Sequence, residues 1–567
     1  MRGGGTARAS VATPQLLDVI LVSAAQKDRK TNGRVLIHRQ LSGTSGLDGK
    51  MNSRPAPPPL ERARSLGLRM PPRRRAASKR GTGASSSTPN HPAPGPSSDA
   101  RVQVVVLGDY GRSPRMQYHS LSLADQLGAH VDVIAYVGSD PRPEVTAHPR
   151  IHLRLIPPPP SWTQRYLPRV LALVIRVLIQ TMQMLWTMSV ALPRPTHVLL
   201  QTPPCVPSFA VCALVCFVRR AKFVIDWHNF AYTLMALKMG GARSPLVRLA
   251  KIYEKTMGRL GHAHFAVTNA MATWLEEEWD IGGAVVLHDA PPDFFGPIDD
   301  ETERMELLRR LQPALKVQND SRDDATDNVY PPYTLWPRED QTTALVVSST
   351  SWTPDEDFGI LLDALILYDA VASKEQRGAF PRSYDILYPN LLVVVTGKGP
   401  QRAHYEKRMK HLKLNRVVLR TAWLESEDYP KLLGVSDLGV CLHTSSSGLD
   451  LPMKVYDMFG CGLPVLAARY DVIHELVVED TRFAGGSVGV RGGVRLPEGG
   501  RERKAVDVGA NGCLFSSPAE MAAQLCGLLR GFTIGQSEAQ AMRDGLVEAP
   551  RRRWKQNWEE IALPVFT

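Results

Sequence analysis

Strand, loop and helix recur in that order down most of this 567-residue chain. "RVQVVVLGDYGRSPRMQYHSLSLADQL" reads as a buried strand over Val102–Leu107, a tight loop over Gly108–Ser113 and a helix from Pro114. "HVDVIAYVG", "RIHLRLIP", "THVLLQTPP" and "AKFVIDWHNF" continue the pattern, and "AHFAVTNAMATWLEEEW" adds a strand followed by a helix. Alternation of this kind implies a parallel, doubly wound sheet with helices on both faces.

A second run of the same units begins at "TALVVSSTSWTPDEDFGILLDALILYDA". It continues through "LLVVVTGKGPQRAHYEKRMKHL" and "RVVLRTAWLESEDYPKLLGVSDLGVCLHT" and ends near "GCLFSSPAEMAAQLCGLLRGF". The expected organisation is an N-terminal α/β domain over residues 101–310 and a C-terminal one over 341–567. A polar, Pro-rich insertion over 311–340 separates them, and a second loop insertion covers 480–510. Two Rossmann-like halves facing each other across a cleft is the simplest architecture. Ligands of open α/β sheets sit beyond the C-terminal ends of the strands, so the cleft is where chemistry is expected.

The charge of +12 does not belong to this folded part. Residues 1–100 hold 17 Lys and Arg against 5 Asp and Glu, and the remainder balances at 51 of each. The high pI is therefore no sign of nucleic-acid binding. Residues 1–100 are rich in Pro, Ser, Gly and Arg and bury too little apolar surface to offset their ordering entropy. They read as a disordered basic tail, with an Arg/Ser-rich transit peptide as the sharper alternative. The seven cysteines form no CxxC pair, which argues against a disulfide framework or a zinc site and fits a reducing compartment.

Val170–Leu192 is apolar and long enough to span a bilayer. Yet Arg169, Arg176, Gln180, Gln183 and Thr187 fall on one helical stripe. A spanning helix would hide Arg176 near mid-bilayer at a cost of roughly 2.5–3.5 kcal/mol. The preferred reading is a helix lying in a membrane interface or packed half-buried against the N-terminal domain, with an ordinary core helix standing level with the interface reading.

"GLDLPMKVYDMFGCGLPVLA" carries the clearest chemistry. Lys454 and Asp457 lie at i and i+3 on one face of a helix start. An ammonium there joins the free N–H groups and the helix dipole in a phosphate site. A carboxylate one turn on can accept hydrogen bonds from ribose hydroxyls, so the pair suits a nucleoside diphosphate. A solvated surface Lys–Asp pair is the plain alternative.

This stretch, with "SSSG" before it, resembles the donor-site segment of GT-B glycosyltransferases. Within them the chain resembles the chitobiosyldiphosphodolichol beta-mannosyltransferases of N-glycan assembly. "VVVLGDYGRSPRMQYHSLSLA", "FVIDWHNFAYTLM", "VVSSTSWTPDEDFGILLDAL" and "TAWLESEDYPKLLGVSDLGVCLHTSSSG" agree, so the resemblance covers roughly 101–310 and 340–567. It implies inverting transfer of mannose from GDP-mannose to dolichol-pyrophosphate-linked chitobiose, forming a beta-1,4 bond. It places the reaction on the cytosolic face of the endoplasmic reticulum membrane. Implied partners are the dolichol-linked acceptor, the membrane surface and other glycosyltransferases of the pathway. Family members typically begin with a hydrophobic anchor, and none is found before residue 101, so attachment would rest on Val170–Leu192 and Val206–Val218.

Inversion by in-line displacement needs a base for the acceptor hydroxyl and charge neutralisation for the leaving group. Lys454 is the first candidate for the diphosphate, helped by the N–H groups of the small-residue loop Ser445, Ser446, Ser447 and Gly448. Gly397 and Lys398, at the end of another strand, are further donor-site candidates; a solvent-facing lysine is the alternative for Lys398. For the base the candidates are His228, Asp226 and Asp109, with a structural histidine as the alternative for His228. Gly108, Gly111, Arg112 and Arg115 form a loop able to grip an acceptor or donor pyrophosphate. Asp355–Asp357 reads as helix capping rather than a metal motif, so no metal or cofactor is expected. Competing readings are a GT-B enzyme with another nucleotide sugar or acceptor, and a catalytically dead scaffold. An NAD-dependent reading fails because no GxGxxG follows the first strand.

Overall fold

The computed structural model describes residues 100–567 apart from 159, 161–164, 167, 240, 242, 318–342, 354–355, 376–387, 480–509 and 549–551. The basic tail, most of the polar insertion and the 480–509 insertion thus lie outside the described residues. Two seven-stranded sheets organise the rest. The first contains β1 (Arg101–Asp109), β2 (His130–Tyr136), β3 (Ile151–Ile156), β4 (His197–Thr202), β5 (Lys222–Trp227), β6 (Ala263–Ala266) and β7 (Val285–Val286). Its spatial order is β3-β2-β1-β4-β5-β6-β7, parallel throughout.

The second sheet contains β8 (Lys316–Val317), β9 (Thr343–Ser349), β10 (Asn390–Thr396), β11 (Val417–Ala422), β12 (Leu438–Cys441), β13 (Val465–Ala468) and β14 (Gly512–Phe515). Its order is β14-β13-β12-β9-β10-β11-β8, with only the short edge strand β8 antiparallel. Counted from β9, the six parallel strands repeat the 3-2-1-4-5-6 order of the first sheet. Each sheet therefore has a switch point, between β1 and β4 and between β9 and β12, where the strand order reverses and ligands bind. The expected pair of Rossmann-like halves, the GT-B fold, is what the topology shows. Every residue of β9 is buried, as expected for a parallel strand covered by helices on both faces.

The boundaries differ from those expected. Leu307, Leu308 and Leu311 of the Glu301–Leu311 helix pack in one core with Leu345, Val347 and Leu392 of the second sheet. That helix therefore belongs to the second half, not to a 101–310 domain. At the other end, Trp554, Trp558 and Phe566 pack with Val102, Val104 and Val133 of the first sheet. Trp554 donates its indole N–H to Ser122 Oγ at 3.1 Å, and Trp558 donates to His119 Nδ1 at 3.0 Å. The last helices thus cross back to the first half. Chain order gave no sign of either exchange, because an amphipathic helix does not encode which sheet covers it.

The apolar segment is a helix over Arg169–Trp186 with a π-helical turn over Thr187–Ala191. It is, among the described residues, the one helix of a length and composition able to cross a membrane. Ala172, Met184, Met188 and Leu192 bury against the first half, but Leu178, Met182 and Trp186 stand more than half exposed. The core-helix reading is corrected accordingly, because the sheet covers too little of the helix to bury it.

Candidate active site

Asp226, the next-to-last residue of β5, is the centre of the first half's polar cluster. It is 0% exposed. Arg115 grips it with two parallel hydrogen bonds of 2.9 Å each. The same guanidinium donates to Asp289 Oδ1 at 2.7 Å and to the Leu287 carbonyl at 3.0 Å. His119 Nε2 lies 3.3 Å from Asp226 Oδ2, and His228 Nε2 lies 2.7 Å from the same oxygen. Burial alone would raise the Asp226 carboxyl, but the charge of Arg115, together with His228 and the hydrogen bonds from His119 and His228, outweighs it and holds the group well below the usual carboxylate range. Burial keeps His119 neutral by lowering its pKa.

This arrangement corrects two expectations. Arg115 cannot grip an incoming pyrophosphate, because it is buried and all its bonds are spent inside the protein. Asp226 cannot meet an acceptor, because it has no exposed surface. It orients His228, whose side chain is 20% exposed. With Nε2–H donated to Asp226, Nδ1 is the ring nitrogen left to take a proton. A nucleophile-activating base held by a buried carboxylate is a recurrent catalytic geometry.

Breaking the pair by Arg115→Met leaves a buried carboxylate without its counter-charge. The expected cost is about 3–5 kcal/mol of stability, read as a lowered urea midpoint relative to the unsubstituted protein.

Glu254, fully buried, supports the segment that follows His228. Its carboxylate accepts from the N–H groups of Ala231 at 2.9 Å and Tyr232 at 3.2 Å, capping the Ala231–Lys238 helix. Burial pushes its pKa up to about 7, against those two hydrogen bonds, which lower it. An unfolded glutamate titrates near about 4.3. The fold thus favours the protonated form, and this stabilisation is full below about pH 4.3 and lost as pH rises through about 7. Glu254→Gln is expected to flatten that part of the stability profile, measured as urea midpoint against pH.

Asp109, at the end of β1, is tied into its own loop. It accepts from Gly111 N at 3.1 Å, Ser139 N at 2.9 Å and Ser139 Oγ at 2.7 Å. Gly111 is required there, since a Cβ would lie 2.3 Å from the Ser139 carbonyl oxygen. A Cβ on Gly108 would meet nothing within 4 Å. Arg112 is largely exposed, 3.4 Å from Asp109 and 3.3 Å from Ser139 Oγ, and is the loop's cation facing solvent.

In the second half Lys454 lies in the first turn of the Met453–Gly460 helix. Its ammonium bonds the carboxylate of Glu356, which is almost fully buried and also bonds Thr350 Oγ1 and, at 2.6 Å, Ser351 N. Glu356 was read with its neighbours as a helix cap. Only Asp357 caps, accepting from Gly359 N at 2.9 Å, and Asp355 lies outside the described residues. Trp352, between these groups, is buried with φ of 52°, a left-handed conformation costing a non-glycine residue about 1–3 kcal/mol. Its N–H donates to Thr350 Oγ1 at 3.0 Å and its indole to the Gly397 carbonyl at 3.3 Å. Gly397 has φ of +134°, and a Cβ there would lie 1.8 Å from the Thr350 carbonyl oxygen. Its smallness thus serves loop packing. Lys398 is exposed, with its ammonium 3.9 Å from the Trp423 ring centroid.

The Ser445–Gly448 loop closes around Asp450, a group the sequence reading missed. Ser445 Oγ and Ser447 Oγ both bond Asp450 Oδ1, the latter at 3.2 Å. Asn229, next to His228, reaches across the cleft to Asp450 Oδ1 at 2.9 Å and Ser446 Oγ at 3.1 Å. Thr233 Oγ1 meets Ser446 Oγ at 3.3 Å, and Thr268 Oγ1 donates to the Leu449 carbonyl at 2.6 Å. The base candidate and the candidate donor loop are therefore joined edge to edge. Asp457 is half-buried, and burial together with neighbouring Asp289 pushes its carboxyl up to about 8, with Arg142 opposing. Burial thus favours its protonated form.

Residues 367–486 match the family described as Glycosyl transferases group 1. The chain is 42% identical over 488 residues to UDP-glycosyltransferase TURAN of Arabidopsis thaliana, covering 82% of this chain and 97% of that protein. It is 40% identical over 470 residues to the chitobiosyldiphosphodolichol beta-mannosyltransferase of Mus musculus, covering 82% and 88%. The Homo sapiens protein of that name is 38% identical over 473 residues, covering 82% and 92%. The solved catalytic domain of Starch Synthase IV from Arabidopsis thaliana aligns with 82% of this chain and 99% of its own at TM-score 0.48 and 10% identity, a likeness that adds no argument. By its relatives and its two matched sheets, the chain belongs to the chitobiosyldiphosphodolichol beta-mannosyltransferase family and is a GT-B glycosyltransferase.

Proposed function

We propose that this chain transfers mannose from GDP-mannose to a dolichol-pyrophosphate-linked chitobiose, with inversion, at the cytosolic face of the endoplasmic reticulum membrane. The observation that carries the reading is the joined pair of sites: His228 held on Asp226, and its neighbour Asn229 bonded to the donor loop. The 4-hydroxyl oxygen of the terminal sugar attacks the mannose anomeric carbon as its proton passes to His228 Nδ1. The bond from that carbon to the diphosphate breaks, and its electron pair leaves on GDP. Lys454 takes up the charge that develops there, at the N-terminus of its helix. Asp457 faces the ribose as a protonated acid. Arg112 meets a pyrophosphate at the rim of the cleft. Backbone and lysine suffice for neutralisation, so no cofactor is part of the reading.

A second reading replaces the donor by a UDP-sugar, and is favoured by the name of the Arabidopsis relative. The two are separated by parallel incubations with GDP-mannose and with UDP-hexoses, using a phytanyl-pyrophosphate chitobiose acceptor in detergent. Product from GDP-mannose alone supports the first reading. Product from a UDP-sugar alone replaces it with the second.

A further inference from the structure

The helices that cover one face of the first sheet are apolar on the wrong side for a water-facing surface. The Arg169–Trp186 helix packs beside Ser208–Arg219, which packs beside Pro245–Gly258, which packs beside Ala231–Lys238. The buried residues of Ser208–Arg219 and of the end of the apolar segment share one core with β1, β4 and β5. The opposite face of the sheet is covered by Pro114–Asp125 and the returning C-terminal helices.

A helix on a soluble protein turns its apolar stripe inward and its polar stripe to water. Here the outward side is apolar as well, while Met184, Met188 and Leu192 pack inward beside polar groups. Gln180 hydrogen-bonds Tyr136 at the end of β2, and Arg176 lies beside the same ring. Outward stand Met182 at 66% exposure and Trp186 at 64%. Phe217 of the next helix is 83% exposed, and Leu249 and Ile252 of the third are 62% each. A run of exposed apolar side chains over adjoining helices marks a contact with something apolar.

Charge gives the second, independent observation. Residues 151–258 contain 13 Lys and Arg but only two acids, Asp226 and Glu254. Both acids are fully buried. Arg165, Arg220, Arg243, Arg248 and Lys251 are exposed. Exposed apolar residues interspersed with exposed cations, in a stretch whose two carboxylates are both buried, fit an interface of acyl chains beneath anionic headgroups. The exposed carboxylates Glu276, Glu277 and Glu278 belong to the adjoining Asn269–Trp279 helix, at the edge of this face.

We infer that this face docks on an anionic lipid bilayer, lying on it rather than crossing it, with Trp186 and Phe217 entering the acyl boundary. Its purpose rests on the lipid-borne acceptor proposed above. The helices of a parallel sheet run against its strands, so their N-terminal ends lie at the strand ends where the cleft opens. Trp186 and Phe217 lie near the C-terminal ends of their helices, so docking along this face lays the helices in the membrane plane with the cleft opening at their N-terminal ends.

The basic tail would bind anionic vesicles without this face, so the test reads the face itself. All seven cysteines are buried, so Phe217→Cys in the full chain gives one exposed thiol for an environment-sensitive dye. Glu559→Cys, exposed on a helix of the opposite face, is the control. With phosphatidylcholine vesicles containing phosphatidylserine, emission at 217 shifts to the blue and emission at 559 does not. Added salt weakens the shift. Vesicle binding without a shift at 217 overturns the inference in favour of the tail. A shift at 217 that needs no vesicles and grows with protein concentration overturns it in favour of a second copy of the chain. No substrate is present, so this result stands apart from the donor and acceptor reading. Transfer assays then separate the two: Phe217→Asp with Trp186→Asp loses transfer to a vesicle-borne acceptor and keeps transfer to a detergent-dispersed one.

Discussion

His228→Ala is expected to lower kcat by about 10²–10⁴-fold, the range that a positioned general base contributes, with the affinity for GDP-mannose unchanged. The imidazole's hydrogen bond runs to Asp226, in the first half. The proposed donor-binding groups, Lys454 and the Ser445–Gly448 loop, keep their own contacts through Glu356 and Asp450. Single-turnover transfer beside calorimetric titration of GDP-mannose separates the two effects. A fall in donor affinity matching the fall in kcat would make His228 a binding residue instead. The Asp226→Asn variant carries a further expectation. It loses the ionised partner that fixes the ring and leaves buried Arg115 with Asp289 as its remaining counter-charge, so it loses stability as well as rate, whereas His228→Ala loses rate alone.

Lys454→Ala is expected to cost about 10²–10³-fold in kcat/KM, as for removal of one preorganised charge at a leaving group, and to weaken donor binding as well. The reason goes beyond the lost ammonium. Glu356 is almost fully buried and stays behind, presenting an unpaired carboxylate to the incoming diphosphate. The double variant Lys454→Ala with Glu356→Gln removes that repulsion and is expected to bind GDP more tightly than Lys454→Ala while remaining slow. Equal GDP affinity in the single and double variants would show that Glu356 does not face the phosphates. Lys454→Arg keeps the charge and is expected to retain most of the binding.

The architecture was legible because continuous apolar strands separated by helices admit few arrangements. The placement of the candidates Lys454 and His228 was legible too, since one opens a helix and the other follows a strand at the end where ligands of such sheets bind. The partners that decide their chemistry were not. Arg115 reads as a loop cation beside Arg112, but the pitch of its helix turns it inward onto Asp226 and Asp289, 111 and 174 residues away in sequence. Glu356 reads as one of three acids before a helix, and only the left-handed turn at Trp352 swings it toward Lys454. Asp450 carried a faint signal, an acid directly after a Ser-Ser-Ser-Gly-Leu loop, but its bond to Asn229 spans 221 residues. The Glu301–Leu311 and C-terminal helices were assigned to the wrong halves for the same reason. Amphipathicity shows that a face will be buried and says nothing of the surface that buries it. The polar stripe at Arg176 and Gln180 was visible from spacing, yet that it points inward required the position of Tyr136.

The central claim is a single inverting displacement with His228 as base, and the anomeric configuration of the product tests it most directly. Full-length protein is given GDP-mannose and phytanyl-pyrophosphate chitobiose in detergent, and the product is digested with beta-mannosidase. The account predicts a fully digested beta-linked product from the unsubstituted protein, and almost none from His228→Ala at equal GDP-mannose occupancy. An alpha-linked product, or undiminished turnover by His228→Ala, would contradict it.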